Sequence, residues 1–363
     1  MNFSGNFHGL IIRANDFTSE ETNIIKEAYN HYGREKMFSH FKEKKILPFA
    51  AKSFCELNID PVFWGPILEE YRKRNLKIIG FLDSAYAAME SYGVKKVFLS
   101  ENFGALLTSN GDIGLFASGD TDNCYDPEEK DKIYESLQSI GCTFRESYAV
   151  KRLNSSVWYP PKSYDLPDSF YMGLQPKPLS RLYLPSFVDM KDFDGWSNMG
   201  YYGKTHIHIP DPTVLMYICM LHVSLHSFSR APDIRLYTDL LNMSRMPIDY
   251  EKIVFWCKKN DTRTRVSVAA SISNILMGTH IPDCVTSQTK RAQAVLDLVV
   301  DSRKKELKYE PQGLKILEIE AKCDDKSSFA GLLNICFPCK EWMIQTYGGS
   351  NILSYIKHIK RIA

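Results

Sequence analysis

In the stretch LFASGDTDNCYDPEEKDKIYESLQSIGC, residues 115–142, an apolar run gives way to Gly119-Asp120-Thr121-Asp122, and a helix signal follows at once. Two readings compete for the quartet. On a strand, side chains alternate between faces, so Asp120 and Asp122 point the same way and sit close enough to share a cation. In a loop, Gly-Asp-Thr-Asp-Asn is a solvated turn, because Gly, Asp and Asn favour turns through local hydrogen bonding. The rest of the chain decides between them.

Upstream, VKKVFLS (94–100) is a short β-rich run, ENFGALL (101–107) is compact, Asn110-Gly111 is a hairpin-type turn signal and IGLFAS (113–118) is a second apolar run. Downstream, Asp126-Pro127-Glu128-Glu129 is a capped helix start with acids where the helix dipole favours them, ending near Gly141, and CTFRESYAV is a further strand candidate. Helix, strand, turn, strand with paired Asp, helix, strand is the grammar of a mixed α/β unit. It places the carboxylates at a strand end, where such sheets bind ligands.

Around this unit the chain is helical. Residues 19–92 carry a start at Ser19-Glu20-Glu21-Thr22, a second at Asp60-Pro61 and a stop at Gly93. Residues 154–205 are rich in Pro, Tyr and Asp. SFYMGLQPKP and SRLYLPSFVDM read there as edge strands, since proline is excluded from central ones. From Asp211-Pro212-Thr213 onward the pattern is helical, punctuated by Pro232, Pro247 and Gly278. The expected units are a helical N-terminal layer (1–92), an α/β core (93–205) and a helical C-terminal domain (206–363).

Composition narrows the function classes. The 363 residues are 44% hydrophobic and 24% charged, as in globular proteins, and 45 Lys plus Arg against 43 Asp plus Glu leave a net charge of +2. That balance supplies no strong nucleic-acid signal and no membrane attraction, so an anionic ligand needs a local patch. No apolar run approaches the ~20 residues of a membrane span, no export signal opens the chain, and nine scattered cysteines suit a reducing, cytoplasmic setting. Only Cys336-Phe-Pro-Cys339 has metal-like spacing, and it lacks a second pair.

Phe103-Gly104-Ala105 lies between a β run and the next turn, where a phosphate-transfer site needs a residue without bulk so that backbone N–H groups can approach a triphosphate. The order VKKVFLSENFGALL, GDTDN, capped helix, SLQSIGC, then LMYICMLHVSLHSFSRAPDIRLYTDLLNMSRMPIDYEKIVFWCKKN and a closing FPCKEWMIQTYG resembles the uncharacterised nucleotidyltransferase family of the nucleotidyltransferase-fold superfamily. The resemblance spans most of the chain. It implies an α+β fold: a nucleotidyltransferase-like mixed sheet flanked by helices, with a helical N-terminal layer and a helical C-terminal domain.

It also implies a chemistry. An Asp-x-Asp pair, here Asp120 and Asp122, would bind two Mg²⁺ with a nucleoside triphosphate such as ATP, and an NMP unit would pass to an acceptor (small molecule, peptide or tRNA) with release of pyrophosphate. Asn102, Phe103, Gly104 and Ala105 would form the phosphate turn, with Arg230 and Arg235 as phosphate-binding forks. The chain departs from the family pattern in three places. Asn102 stands near the usual Lys, Ala117 and Ser118 stand where an Arg is usual, and SFYMGLQPKP lacks the expected third carboxylate, for which Asp189, Asp192 or Asp194 are substitutes. A catalytically degenerate protein that binds a nucleotide or a peptide or protein partner is therefore the competing expectation. For Arg235 the bland reading is an exposed ion pair with Asp239, four residues on. His222 and His226, also four apart, form a packed pair or, with ligands still lacking, a zinc site.

Overall fold

Helix formation in the first ninety residues follows from caps and apolar spacing. The computed structural model describes residues 7–14, 17–145, 155–179, 188–228, 233–308, 314–323, 333 and 336–362. Five helices come first: α1 (Phe7–Arg13), α2 (Ser19–Tyr32), α3 (Arg34–Glu43), α4 (Leu47–Glu56) and α5 (Pro61–Ser91). The cap of α2 is Thr18, one residue before the expected Ser19. Its hydroxyl accepts the Glu21 N–H at 3.2 Å while Glu21 accepts the Thr18 N–H at 2.9 Å, a reciprocal capping box. At the start of α5, Pro61 occupies the first turn, but the Asp60 carboxylate is spent on the Tyr29 hydroxyl at 3.1 Å rather than on the helix. The helix stops where Gly93 takes φ +75°.

The fold is α+β, the described residues being 61% helical with a five-stranded mixed sheet. Its strands are β1 (Val97–Ser100), β2 (Asp120–Tyr125), β3 (Thr143–Arg145), β4 (Ser156–Tyr159) and β5 (Tyr171–Gln175), in spatial order β1-β2-β5-β4-β3. Only β2 and β5 run parallel. Two expectations are corrected here. IGLFAS is no strand: Ile113–Leu115 form a 3₁₀ turn, and the paired aspartates open β2. The segment with SFYMGLQ is central, not an edge; Pro176 follows the last strand residue, so no ladder hydrogen bond is lost to it.

Two helices complete this part, α6 (Glu101–Thr108) and α7 (Lys130–Ser139), the latter preceded by a turn in which Asp126 accepts the Glu128 N–H at 3.1 Å. After the sheet come α8 (Pro212–Leu225), α9 (Tyr237–Met243), α10 (Tyr250–Lys259), α11 (Arg263–Met277), α12 (Lys290–Val299), α13 (Leu314–Cys323), α14 (Lys340–Tyr347) and α15 (Ile352–Ile362).

The strand alternation divides the core. Val97, Leu99, Tyr125, Met172 and Leu174 face a cluster with the Ile78, Phe81, Leu82, Ala85, Tyr86 and Met89 stripe of α5. Phe98 and Cys124 face the other way, into a cluster built from the N-terminal helices together with α8, α9, α11 and α12. Asp120 and Asp122 share the parity of Cys124, so they project toward the helical side. Thr121 and Asn123 point oppositely and are buried; Asn123 accepts the Tyr86 hydroxyl at 2.7 Å and donates to the Gly173 carbonyl at 3.0 Å.

Candidate functional site

The sheet brings the two aspartates to one face. In register, Asp120 lies opposite Tyr171 and Asp122 opposite Gly173, with Ser100 of β1 on the other flank of Asp122. Asp120 is held at both oxygens, by the Ser118 hydroxyl and by the Tyr171 hydroxyl at 2.9 Å. Over Asp122 the neighbouring strand carries no side chain: a Cβ on Gly173 would lie 3.3 Å from the Asp122 Oδ1. The strand expected to bear a third carboxylate thus offers a phenol and a glycine.

The chain leaving β1 turns sharply beside this pair. Glu101 and Asn102 take left-handed φ values of +44° and +21°, unusual for residues with a side chain. Three bonds secure the turn. The Asn102 N–H donates to Asp239 Oδ2 at 2.9 Å, the Glu101 carboxyl accepts from Gln175 Nε2 at 3.0 Å, and its other oxygen lies 3.0 Å from His222 Nδ1. His222 in turn meets His226, Nε2 to Nε2, at 3.1 Å. The histidine pair braces Glu101 from α8. The Asn102 amide also reaches Asp122 at 3.5 Å.

Gly104 is dictated by packing: a Cβ there would sit 2.6 Å from the Leu99 carbonyl oxygen. Phe103 and Ala105 are buried core residues, Phe103 stacking on Phe116 with centroids 4.2 Å apart. Of this segment, Asn102 and its backbone face the acids. Arg230 lies outside the described residues. Arg235 is half-buried beside Asp122 and Asp239, which both feel its charge, and its Nε is buried without a hydrogen-bond partner. Asp239 is not the surface partner that i,i+4 spacing suggests, being 3% exposed and bonded to the Asn102 backbone. Asn102, Arg235 and Asp239 line a small hollow of about 20 Å³ whose apolar wall includes Phe49, Leu106 and Phe116.

Electrostatics follow from crowding carboxylates in a dry place. Asp122 keeps some surface toward solvent, yet the surrounding atoms desolvate its carboxyl and, with Asp120 adjacent, push it up to about 7. Burial pushes Asp239 up to about 7 as well, against the pull of Arg235. Glu101 is driven well above the usual carboxylate range by burial first, then by Asp122 and Asp239. Such a cluster favours a bound cation over its own ionised state.

Asp189 and Asp192 are engaged in their own turn, Asp189 accepting the Lys191 N–H at 3.2 Å and Asp192 the Asp189 N–H at 2.8 Å. The acids that join the pair are instead Glu101 and Asp239, which sequence reasoning did not assign to the site. The signal for Glu101 was its place immediately before the turn; for Asp239 there was none beyond its spacing from Arg235. Among the described residues no group of three or more His, Cys, Asp or Glu is arranged to hold a metal ion by itself. Compared with protein families, curated proteins and solved structures, the chain matches none.

Proposed function

We propose that the protein is a nucleotidyltransferase that uses Mg²⁺ and a nucleoside triphosphate to place an NMP group on an acceptor. The observation that carries this reading is the convergence of Asp120 and Asp122, side by side at the start of β2, on the Asn102 turn and the unpartnered Arg235 Nε. Carboxylate oxygens are the donors Mg²⁺ prefers, and two of them leave coordination positions for phosphate oxygens. When bound, Mg²⁺ would neutralise phosphate charge and orient the triphosphate. Arg235 supplies a fork suited to phosphate, and the Asn102 amide fixes Asp122. Tyr171 and Ser118 hold Asp120 in one orientation. The reaction joins an acceptor oxygen to the α-phosphorus and breaks its bond to the bridging oxygen, and pyrophosphate leaves with that electron pair.

The experiment is Mg²⁺-dependent release of pyrophosphate from each of the common NTPs. Activity that disappears in Asp120→Ala and Asp122→Ala, with circular dichroism unchanged, supports the reading; activity that survives both overturns it. The competing proposal, a degenerate fold that only binds a nucleotide or a peptide or protein partner, is favoured by Tyr171 and Gly173 standing opposite the pair. Calorimetric NTP binding without turnover would select it. The N-terminal helical layer, α/β core and C-terminal helical domain, and a cytoplasmic setting, belong to this same proposal. No helix among the described residues is long and apolar enough to cross a membrane.

A further inference from the structure

The helix α15 shows its faces the wrong way round for a surface helix. Ile352, Leu353, Ile356 and Ile359, which fall on one side at helical spacing, are 76%, 64%, 43% and 37% exposed. The opposite side is polar and docked: Ser354 and His358 are buried, His358 Nδ1 meets the Tyr347 hydroxyl at 2.9 Å with its ring 5.1 Å from Trp342, and the Tyr355 hydroxyl donates to the Pro338 carbonyl at 3.0 Å. Phe337, its ring 6.3 Å from that of Tyr355, is a further exposed apolar residue in this part of the chain. Contiguous exposed aliphatic surface of this kind marks an interaction site.

Charge selects the occupant. Lys357 and Lys360 are exposed beside the apolar stripe, Arg361 follows them in sequence, and residues 342–363 contain no Asp or Glu. A second copy of the helix would bring like charges together. An acidic protein groove that wraps the helix would have to strip away the hydrogen-bonded face, whereas a flat surface needs only the face already displayed. We infer that α15 lays its Ile352–Leu353–Ile356–Ile359 stripe into an anionic lipid surface, with Lys357 and Lys360 at the headgroups. At 11 residues, about 16 Å long, the helix lies in the interface and does not span it. The expectation of no membrane partner, which rested on the lack of a spanning segment and on net charge, does not address such a contact.

The test is sedimentation of the full chain with vesicles of phosphatidylcholine containing phosphatidylserine and with phosphatidylcholine vesicles alone. The chain should sediment with the anionic vesicles and far less with the neutral ones. Each of Lys357→Gln and Lys360→Gln should weaken binding about fivefold. The double variant Ile352→Glu/Ile356→Glu, which alters only exposed side chains, should abolish it with circular dichroism unchanged. A wild-type chain that stays in the supernatant, a double variant that still sediments, or equal binding to both vesicles overturns the proposal. So does light scattering showing a dimer that the double variant dissociates, because a second copy would then cover the stripe.

Discussion

Asp239 accepts the backbone N–H of Asn102 at 2.9 Å across 137 residues of sequence. The bond ties the helical C-terminal part to the turn that leaves β1, and it places a buried carboxylate behind the Asp120–Asp122 face. Asn102 has φ +21° and ψ −89°, so its conformation is kept by what surrounds it. The turn is as much a product of α8 and α9 as of its own residues.

Two substitutions separate the hydrogen bond from the charge. Burial raises the Asp239 carboxyl from 3.8 to about 7, so between those values the folded state holds a proton that the unfolded state has released. Wild-type stability attributable to this group is therefore complete below about pH 4 and falls as pH rises through about 7. Asp239→Asn keeps an acceptor for Asn102 and removes that loss, so it should be the more stable form near pH 8, by on the order of 1 kcal/mol or more. Asp239→Ala orphans the buried N–H and should lose about 1–3 kcal/mol. Urea unfolding near pH 5 and pH 8 checks both; an Asn variant as weak as the Ala variant at each pH refutes the account.

Glu101 gives a parallel case at the other bond to the turn. Its side chain is 2% exposed and serves Gln175 and His222 at once. Glu101→Gln retains shape and hydrogen-bonding capacity, with the His222–His226 pair free to change tautomer, and should cost less than about 1 kcal/mol. Glu101→Ala takes an acceptor away from half-buried Gln175 and His222 and empties a buried position, and should cost about 2–4 kcal/mol. Equal urea midpoints for the two variants would show that Glu101 does not brace the turn.

The parity of Asp120 and Asp122 was legible because side-chain alternation along a strand is rigid, and a mixed α/β unit was legible in the change of texture near residue 93. The placement of β2 was not, because DTDNCY is polar on both faces. Thr121 and Asn123 are buried, Asn123 through hydrogen bonds that hydropathy does not register. IGLFAS, the apolar run beside it, drew the strand to the wrong residues. β5 was displaced to the edge by prolines that lie just beyond its end. Glu101 and Asp239 entered the site through contacts set by tertiary packing, which no local spacing encodes.

Gly104 and Gly80 make a matched test of why glycine is present. A Cβ at Gly104 would lie 2.6 Å from the Leu99 carbonyl oxygen, a backbone atom of β1 that cannot swing aside as a side chain could, so Gly104→Ala should destabilise the fold by about 1–3 kcal/mol. At Gly80, within α5, nothing lies within 4 Å of the added carbon. Gly80→Ala should stabilise by about 0.5–1 kcal/mol through helix propensity and loss of unfolded-state freedom. Opposite signs in thermal unfolding are expected; the same sign at both positions contradicts the packing argument.

The last prediction concerns a charge pair remote from the acids. Arg265 of α11 and Glu320 of α13 meet at 3.0 Å with side chains 0% and 2% exposed, and Ser224 and Ser227 complete the network at 3.4 Å and 3.3 Å. Removing one member leaves the other charged and dry, so Glu320→Ala should destabilise by about 3–5 kcal/mol. Removing both differs in kind, because the desolvation that the pair suffers on folding vanishes with it. Arg265→Met/Glu320→Leu should therefore recover most of the stability lost in the single variant, and the coupling read from a double-mutant cycle should be large. A double variant no more stable than Glu320→Ala would mean that the pair's attraction outweighs its desolvation.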